Sequence, residues 1–353
     1  MATSPKSRCT SSATDACTCS AGGGPFGFAV ALVSDAVVVV SAKYAMSIDT
    51  ADGRLDISFA SGAEECGAWL YLPDGASAER PVPVIVMAHG LGAVKALGLD
   101  AFAERFRDAG YACLVFDYRH FGDSSGEPRE LLAIDFQLED WRAAVAFARC
   151  LRECDADRVI LWGTSFAGGH VTITAADDPR IAAAIAQNPF TDGRVSAMTL
   201  NVKSLARVTA LALRDLAARR LGAAPVRVAS VAQPGEAGLM TAADAMRGYE
   251  AVAEASDLDP SATMVPARIA LQIICHVPGR RAKDVRCPIL YDVCEADSVA
   301  PPRAAVKWAK TAPKGEIRRY DTGHFDIYLG DWFARVIADQ IDFLRAHVPV
   351  QAD

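Results

Sequence analysis

Arg158-Val159-Ile160-Leu161-Trp162-Gly163-Thr164-Ser165-Phe166-Ala167-Gly168-Gly169 is the stretch that decides how the chain folds. Val159 to Trp162 is an unbroken apolar run, the texture of a strand buried on both faces of a parallel sheet. From Gly168 to Ala176 the residues suit a helix. Between the two lies a turn so tight that its serine must adopt a strained backbone conformation and its neighbours must be small. Gly163 meets that need. The second small position is Ala167, the least bulky replacement for glycine, with Gly168 and Gly169 behind it. Such a turn projects Ser165 outward and sets the positive end of the next helix beneath any oxyanion formed there. Taken alone, the same letters also fit an ordinary Gly-Ser turn, so the neighbours have to decide.

Upstream, Arg54 to Phe59 alternates polar and apolar residues, as short antiparallel strands do, and Pro73-Asp74-Gly75 marks a turn. Val84 to Ala88 is a continuous apolar run. An amphipathic stretch from Phe102 to Ala109, a strand at Cys113–Phe116 and a long helix from Phe136 to Leu151 follow. Downstream of the turn comes another strand, Ile181 to Ala186. Strands separated by helices of this length predict right-handed crossovers and a doubly wound, mostly parallel α/β sheet.

The rhythm stops over residues 193–285, which read as helices at Ser196–Leu221, Thr241–Ala255 and Ala267–His276. It resumes with a strand at Pro288–Val293, a helix at Pro302–Ala309, a strand at Glu316–Tyr320 and a last helix at Phe333–His347. The expected organisation is a core of residues 43–192 and 286–353 with a helical cap, 193–285, inserted before the last two strands. Residues 1–42 are expected as a poorly ordered extension of a cytoplasmic enzyme, with a leader as the alternative. The apolar stretch from Phe26 to Ala42 is broken by Ser34 and Asp35 and is too short for a membrane span.

Apolar residues make up 51% of the 353 and charged ones 22%, as in a globular protein. The net charge of -7 argues against a nucleic-acid binder, which wants a basic face. With no Lys/Arg-rich block, anionic membrane surfaces are not expected as partners either. The ten cysteines fall partly inside apolar runs, as Cys113 does, and there act as small hydrophobes. Cys150 and Cys154 lack the paired His or second Cys pair of a zinc site, so neither metal nor organic cofactor is expected.

Acyl transfer by a serine needs a general base and a group that orients it. Around a strand–turn–helix serine the order should run serine, acid, histidine, each on a loop after a strand. Strand Ile289–Val293 is followed by Cys294-Glu295-Ala296-Asp297, and the next strand by Asp321-Thr322-Gly323-His324. The candidates are therefore Ser165, Asp297 and His324. Glu295 and Asp292 compete for the acid, although Asp292 falls within the strand. With only six histidines in the chain, one at this spot carries weight. The backbone N–H groups of Phe166 and of Leu91, in the loop His89-Gly90-Leu91-Gly92, are the candidate oxyanion donors. A base as early as His89 would break the required order.

Ala88-His89-Gly90, the run Phe116-Asp117-Tyr118-Arg119-His120-Phe121-Gly122-Asp123-Ser124-Ser125-Gly126, the Ser165 turn, Asp297 and Gly323-His324 together resemble the α/β-hydrolase superfamily. Within it the chain is similar to the X-prolyl dipeptidyl-peptidase-like group, which includes fungal thiohydrolases and polyketide acyl transferases. The resemblance spans about residues 50–348. It implies a cofactor-free serine hydrolase cleaving an ester, thioester or amide, or an acyltransferase using the same triad with an alcohol or amine. A third alternative is a non-catalytic binding protein on this fold. Dehalogenase and epoxide-hydrolase chemistry needs a carboxylate where Ser165 stands. The expected partners are a small, moderately hydrophobic acyl substrate and, at most, a second copy of the chain.

Other features read more plainly. Asp123, Ser124 and Ser125 suit a turn that braces the loops, with Arg119 and His120 bonding inside it. Trp141, Phe147 and His170 suit packed helix positions, and Asp326 a cap. Leu200, Leu205, Leu211, Leu213, Met240, Met246 and Met264 would either form an apolar ceiling or pack the cap onto the core.

Overall fold

The computed structural model describes residues 28–33, 36–41 and 53–350. In the N-terminal unit, β1 (Phe28–Val33) pairs antiparallel with β2 (Ala36–Ser41). The expected extension over 1–42 thus carries two paired strands; its remaining residues lie outside the described ones.

The second unit is built on β3 (Arg54–Ser61), β4 (Glu64–Tyr71), β5 (Val82–Ala88), β6 (Ala112–Phe116), β7 (Cys154–Thr164) and β8 (Ala183–Gln187). Between them run α1 (Leu99–Asp108), α2 (Ile134–Ala148) and α3 (Phe166–Asp177). The insertion follows: α4 (Gly193–Ala197), α5 (Val202–Arg220), β9 (Arg227–Val231), β10 (Gly238–Met240), α6 (Ala245–Ala255), β11 (Met264–Pro266) and α7 (Ile269–Cys275). The core then closes with β12 (Ile289–Cys294), α8 (Pro302–Ala309), β13 (Gly315–Tyr320) and α9 (Gly330–His347).

The main sheet has the order β13-β12-β8-β7-β5-β6-β4-β3. From β6 to β13 all neighbours are parallel, and β4 and β3 add an antiparallel edge. This is the doubly wound, mostly parallel α/β sheet that the strand–helix alternation predicts. The central strands are apolar throughout because both faces are covered; Val84–Ala88 and Val159–Trp162 are fully buried. The chain leaves β5 for β6 on one side and returns to β7 on the other. A crevice opens at the carboxyl ends where the winding reverses, and loops that follow the strands converge on it.

The insertion departs after β8 and returns at β12, and those two strands are hydrogen-bonded neighbours. A long excursion between adjacent strands leaves the ladder intact, which is why the core tolerates it. The insertion is mainly helical, as expected, but it also holds a small sheet of order β10-β9-β11. Those strands are three to five residues long, too short to show a period of two. The single helix expected over Ser196–Leu221 is two. α5 restarts at Asn201, whose side chain accepts a hydrogen bond from the Ser204 N–H at 2.8 Å.

Candidate active site

Ser165 stands between β7 and α3 with φ 54° and ψ -115°, a region that non-glycine residues occupy at a cost of about 1–3 kcal/mol. Both of its backbone polar groups are engaged. Its N–H donates to the Gln187 carbonyl at 2.9 Å, and its carbonyl accepts from Gly168 (3.0 Å) and Phe190 (2.8 Å). A Cβ on Gly163 would lie 2.6 Å from the Ala167 carbonyl oxygen, so only glycine fits there. The second tight approach falls at Gly168, where a Cβ would meet the Pro189 ring at 2.8 Å. Ala167 keeps its methyl for that reason: the crowding lies one residue later.

The Ser165 hydroxyl faces His324, with Oγ 3.0 Å from Nε2. On the far side of the ring, Nδ1 is 2.6 Å from Asp297 Oδ2. The other oxygen of Asp297 accepts the N–H groups of Val299 (2.8 Å) and Ala300 (2.7 Å), which fixes the carboxylate. An Nδ1–H donor to Asp297 leaves Nε2 as the acceptor for the serine proton. All three side chains are buried, Ser165 at 8% exposure, Asp297 at 7% and His324 at 2%. The structure therefore brings together the three residues chosen from sequence. Their competitors are elsewhere. Asp292 lies inside β12, bonded by Gln340 Nε2 at 2.7 Å and by the Tyr320 hydroxyl, while Glu295 pairs with Arg319 at the surface. Asp326 accepts from the Gly323 N–H at 3.0 Å and shapes the turn before His324.

Three comparisons bear on this constellation. Residues 79–328 match the family described as serine aminopeptidase, S33. The chain belongs to that family. It is also 50% identical over 297 residues to the quorum-quenching protein AidA of Acinetobacter baumannii, covering 84% of this chain and 96% of that one. It is 36% identical to the thiohydrolase aneE of Aspergillus aculeatus, over 31% of this chain and 35% of that protein. In fold it is similar to the α/β-hydrolase GrgF of Penicillium sp. sh18, with a TM-score of 0.71, 23% identity, and coverage of 83% of this chain and 98% of that one. The protein is thus a hydrolytic enzyme of the α/β-hydrolase group.

In this hydrolase the loop after β5 runs against the serine: a Cβ on Gly90 would be 3.1 Å from Ser165 Cβ. Leu91, next in the chain, lines the cleft beside Ser165. Phe166 is the first residue of α3, where a backbone N–H has no partner within the helix. The loop is held by a group that the sequence reading missed, Lys95. Its N–H donates to Asp117 Oδ1 at 2.6 Å and its ammonium to Asp117 Oδ2 at 2.8 Å, with Asp123 as a further partner. Lys95 is 2% exposed and also lies over the Trp69 ring. Only the Asp117-to-Gly126 motif hinted at this. Asn188 and Tyr328 were missed too. Asn188 Nδ2 donates to the His324 carbonyl at 2.8 Å, while Thr164 Oγ1 donates to Asn188 Oδ1 at 3.0 Å and meets the Tyr328 hydroxyl.

The bracing turn is as expected, since Ser124 Oγ donates to the Asp117 carbonyl and accepts from the Gly67 N–H. Arg119 is a correction. It leaves its loop and joins Asp140 of α2 (2.7 Å) and Ser61 of β3 (2.7 Å), because both lie buried within its reach. His120 stays in the loop through its backbone, donating to the Ser125 carbonyl. Trp141 and Phe147 are core residues, and His170 is packed against Gln137. Burial lowers the basicity of His89, His170 and His276, the last to about 4, so all three are neutral at pH 7.

Two cavities meet at Ser165, Leu91 and Met240. The larger runs past Phe166 and Phe190 under Leu200, Leu205, Val208 and Ile273. The smaller lies on the His324 side, between Leu97, Tyr249, Val252 and Phe325. Of the apolar residues expected in a ceiling, Leu200, Leu205 and Met240 line the larger cavity. Met246 packs beside Tyr249 and Val252, Leu213 and Met264 face outward, and Leu211 lines neither cavity.

Proposed function

We propose that this enzyme hydrolyses an ester or thioester of a moderately hydrophobic acid through an acyl-enzyme on Ser165. The observation that carries the reading is the hydrogen-bonded relay from Ser165 through His324 to Asp297, beside an apolar cleft. As Oγ attacks the carbonyl carbon, His324 Nε2 takes the hydroxyl proton. The developing oxyanion accepts hydrogen bonds from the Phe166 and Leu91 N–H groups, and Asp297 balances the imidazolium. The tetrahedral intermediate collapses, and His324 returns the proton to the departing alcohol or thiol. Water then repeats the sequence on the acyl-enzyme and releases the acid.

Because the leaving atom must reach Nε2, the leaving group belongs in the smaller cavity and the acyl group in the larger. Neither cavity is lined by Asp, Glu, Lys or Arg, which favours a substrate neutral on both sides of the scissile bond. A peptide with a free α-ammonium would find no carboxylate there. The alternative acceptor, an alcohol or amine in place of water, gives an acyltransferase, and product analysis with added alcohol separates the two.

The test is a series of p-nitrophenyl esters and acyl-thioesters of graded chain length, assayed with the parent and Ser165→Ala. Chain-length-dependent turnover that falls by roughly 10⁴-fold or more in the variant is expected. A Ser165→Ala enzyme that stays fully active would refute the mechanism. Failure of a fluorophosphonate to label the folded protein would favour the non-catalytic binding reading.

A further inference from the structure

Asn188 directly follows β8 and, like Ser165, has a positive φ, here 32°. Asparagine is one of the few non-glycine residues that enter this region with any frequency. Pro189 opposes it, because a proline pushes the residue before it towards extended backbone. Such a conformation costs about 1–3 kcal/mol and persists only where the surroundings impose it. They do so from three sides. The Asn188 N–H donates to the Asp292 carbonyl of β12 at 2.8 Å. Its Oδ1 accepts from Thr164 Oγ1 at 3.0 Å, and its Nδ2 donates to the His324 carbonyl at 2.8 Å. The residue is buried.

Each partner belongs to one member of the triad. Thr164 immediately precedes Ser165, Asp292 lies in the strand that leads to Asp297, and the third partner is His324 itself. Thr164 cannot drift, since Gln187 Nε2 reaches its hydroxyl at 3.3 Å and Gln187 Oε1 accepts from Gln340 at 2.9 Å. Gln340 is bonded in turn to Asp292 and Trp162. The planar amide of Asn188 therefore carries the fixed position of β7 across to the histidine backbone. Its Nδ2 also lies 3.3 Å from His324 Nδ1. That ring nitrogen gives its hydrogen to Asp297, so the amide packs against the imidazole there without a second bond.

We propose that Asn188 is a positioning residue, which sets the contact between His324 Nε2 and Ser165 Oγ by pinning the histidine backbone to the end of the nucleophile's strand. The role rests on the triad mechanism proposed above. His324 stands on a turn four residues beyond β13, where the sheet no longer holds it. A shift of its carbonyl would swing the imidazole away from Ser165, and a displacement of about 1 Å can cost a factor of 10² in rate. Substrate binding would be spared, because Asn188 lines neither cavity. Asparagine meets both demands of the position: it accepts the left-handed backbone, and its amide offers one acceptor to Thr164 and one donor to His324. Aspartate would meet the first demand and, ionised, fail the second.

Steady-state hydrolysis of a p-nitrophenyl ester by the full chain tests the role, with folding checked by circular dichroism. In Asn188→Ala, kcat should fall about 30-fold while KM stays within about twofold of the parent. Asn188→Asp keeps the size, the backbone and the acceptor for Thr164, so it guards against a variant that fails to fold; at about pH 8 its kcat should fall as far. Groups that act as a unit are not additive. Added to Asp297→Asn, the Asn188→Asp change should therefore cost less than about threefold, since the imidazole has already lost its orientation. A folded Asn188→Asp enzyme with parental kcat, a loss confined to KM, or an undiminished loss in the Asp297→Asn background would overturn the proposal. If Ser165→Ala stayed fully active, the mechanism would fall and this role with it. An inactive Ser165→Ala beside Asn188 variants of parental kcat would remove this role alone.

Discussion

Ser165, Asp297, His324 and Leu91 each stand within four residues of the end of a parallel strand, whereas the walls of the larger cavity come mostly from the insertion. The two regions are held differently. At the carboxyl ends of the strands, hydrogen bonds of 2.6–2.9 Å fix each group: Asp297 to two backbone N–H groups and His324, Lys95 to Asp117, Ser165 to Gln187. In the insertion, α5 rests on four buried side chains and its own cap, with most of its surface outward. Chemistry that tolerates errors of a few tenths of an ångström sits on the rigid part. The apolar lining of the larger cavity sits mostly on the insertion.

Asp297→Asn tests the strand ends hardest. The amide would stabilise the wrong imidazole tautomer, and kcat should fall about 10⁴-fold with the melting temperature little changed. A loss below tenfold would remove Asp297 from the relay.

Lys95→Met comes next. Without the ammonium the loop carrying Leu91 loses its anchor, and kcat should drop about 10²-fold while KM moves little. The variant should also melt earlier, because Asp117 stays buried without its cation. Unchanged kcat in a destabilised protein would reduce Lys95 to a purely structural role.

Asp292 sharpens the contrast from inside one of those strands. It is five residues from Asp297 and fully buried, and burial pushes its pKa up to about 7, against about 4 in an unfolded chain. Since the folded value is the higher one, folding is penalised as pH rises from about 4 through 7, and the full penalty stands above that. Carrying the charge costs about 4 kcal/mol. Asp292→Asn removes this and gives up one acceptor, so unfolding at pH 8 should need about 2 kcal/mol more than in the parent. Denaturant titrations at pH 5 and pH 8 would show the difference shrinking at the acid end.

The insertion yields the smallest effect. Asn201→Ala removes the cap of α5 and should cost about 1 kcal/mol, read as a lower denaturation midpoint. If kcat fell along with it by more than the stability loss explains, the division between the two regions would be too sharp.

Much of this was legible in the residues. Parallel strands are buried on both faces, so β5, β6, β7, β8 and β12 stand out as apolar runs. The serine turn also advertises itself, because its geometry admits few residue types. Short strands such as β9, β10 and β11 leave no such trace. Lys95, Asn188 and Tyr328 were invisible for a related reason: each acts through a partner distant in sequence, and nothing local in a lysine or an asparagine announces that partner.

The sequence by itself determined the strand–helix order, the serine turn and the succession of serine, acid and histidine, since these depend on local backbone rules and on chain order. Tertiary structure decided the rest. It chose Asp297 over Asp292 and Glu295 by pointing one carboxylate at His324, burying another in β12 and leaving the third at the surface. It shifted the tight glycine to Gly168 and sent Arg119 to Asp140. In each case the outcome depends on which distant groups meet at about 3 Å, and that distance exists only once the chain has packed.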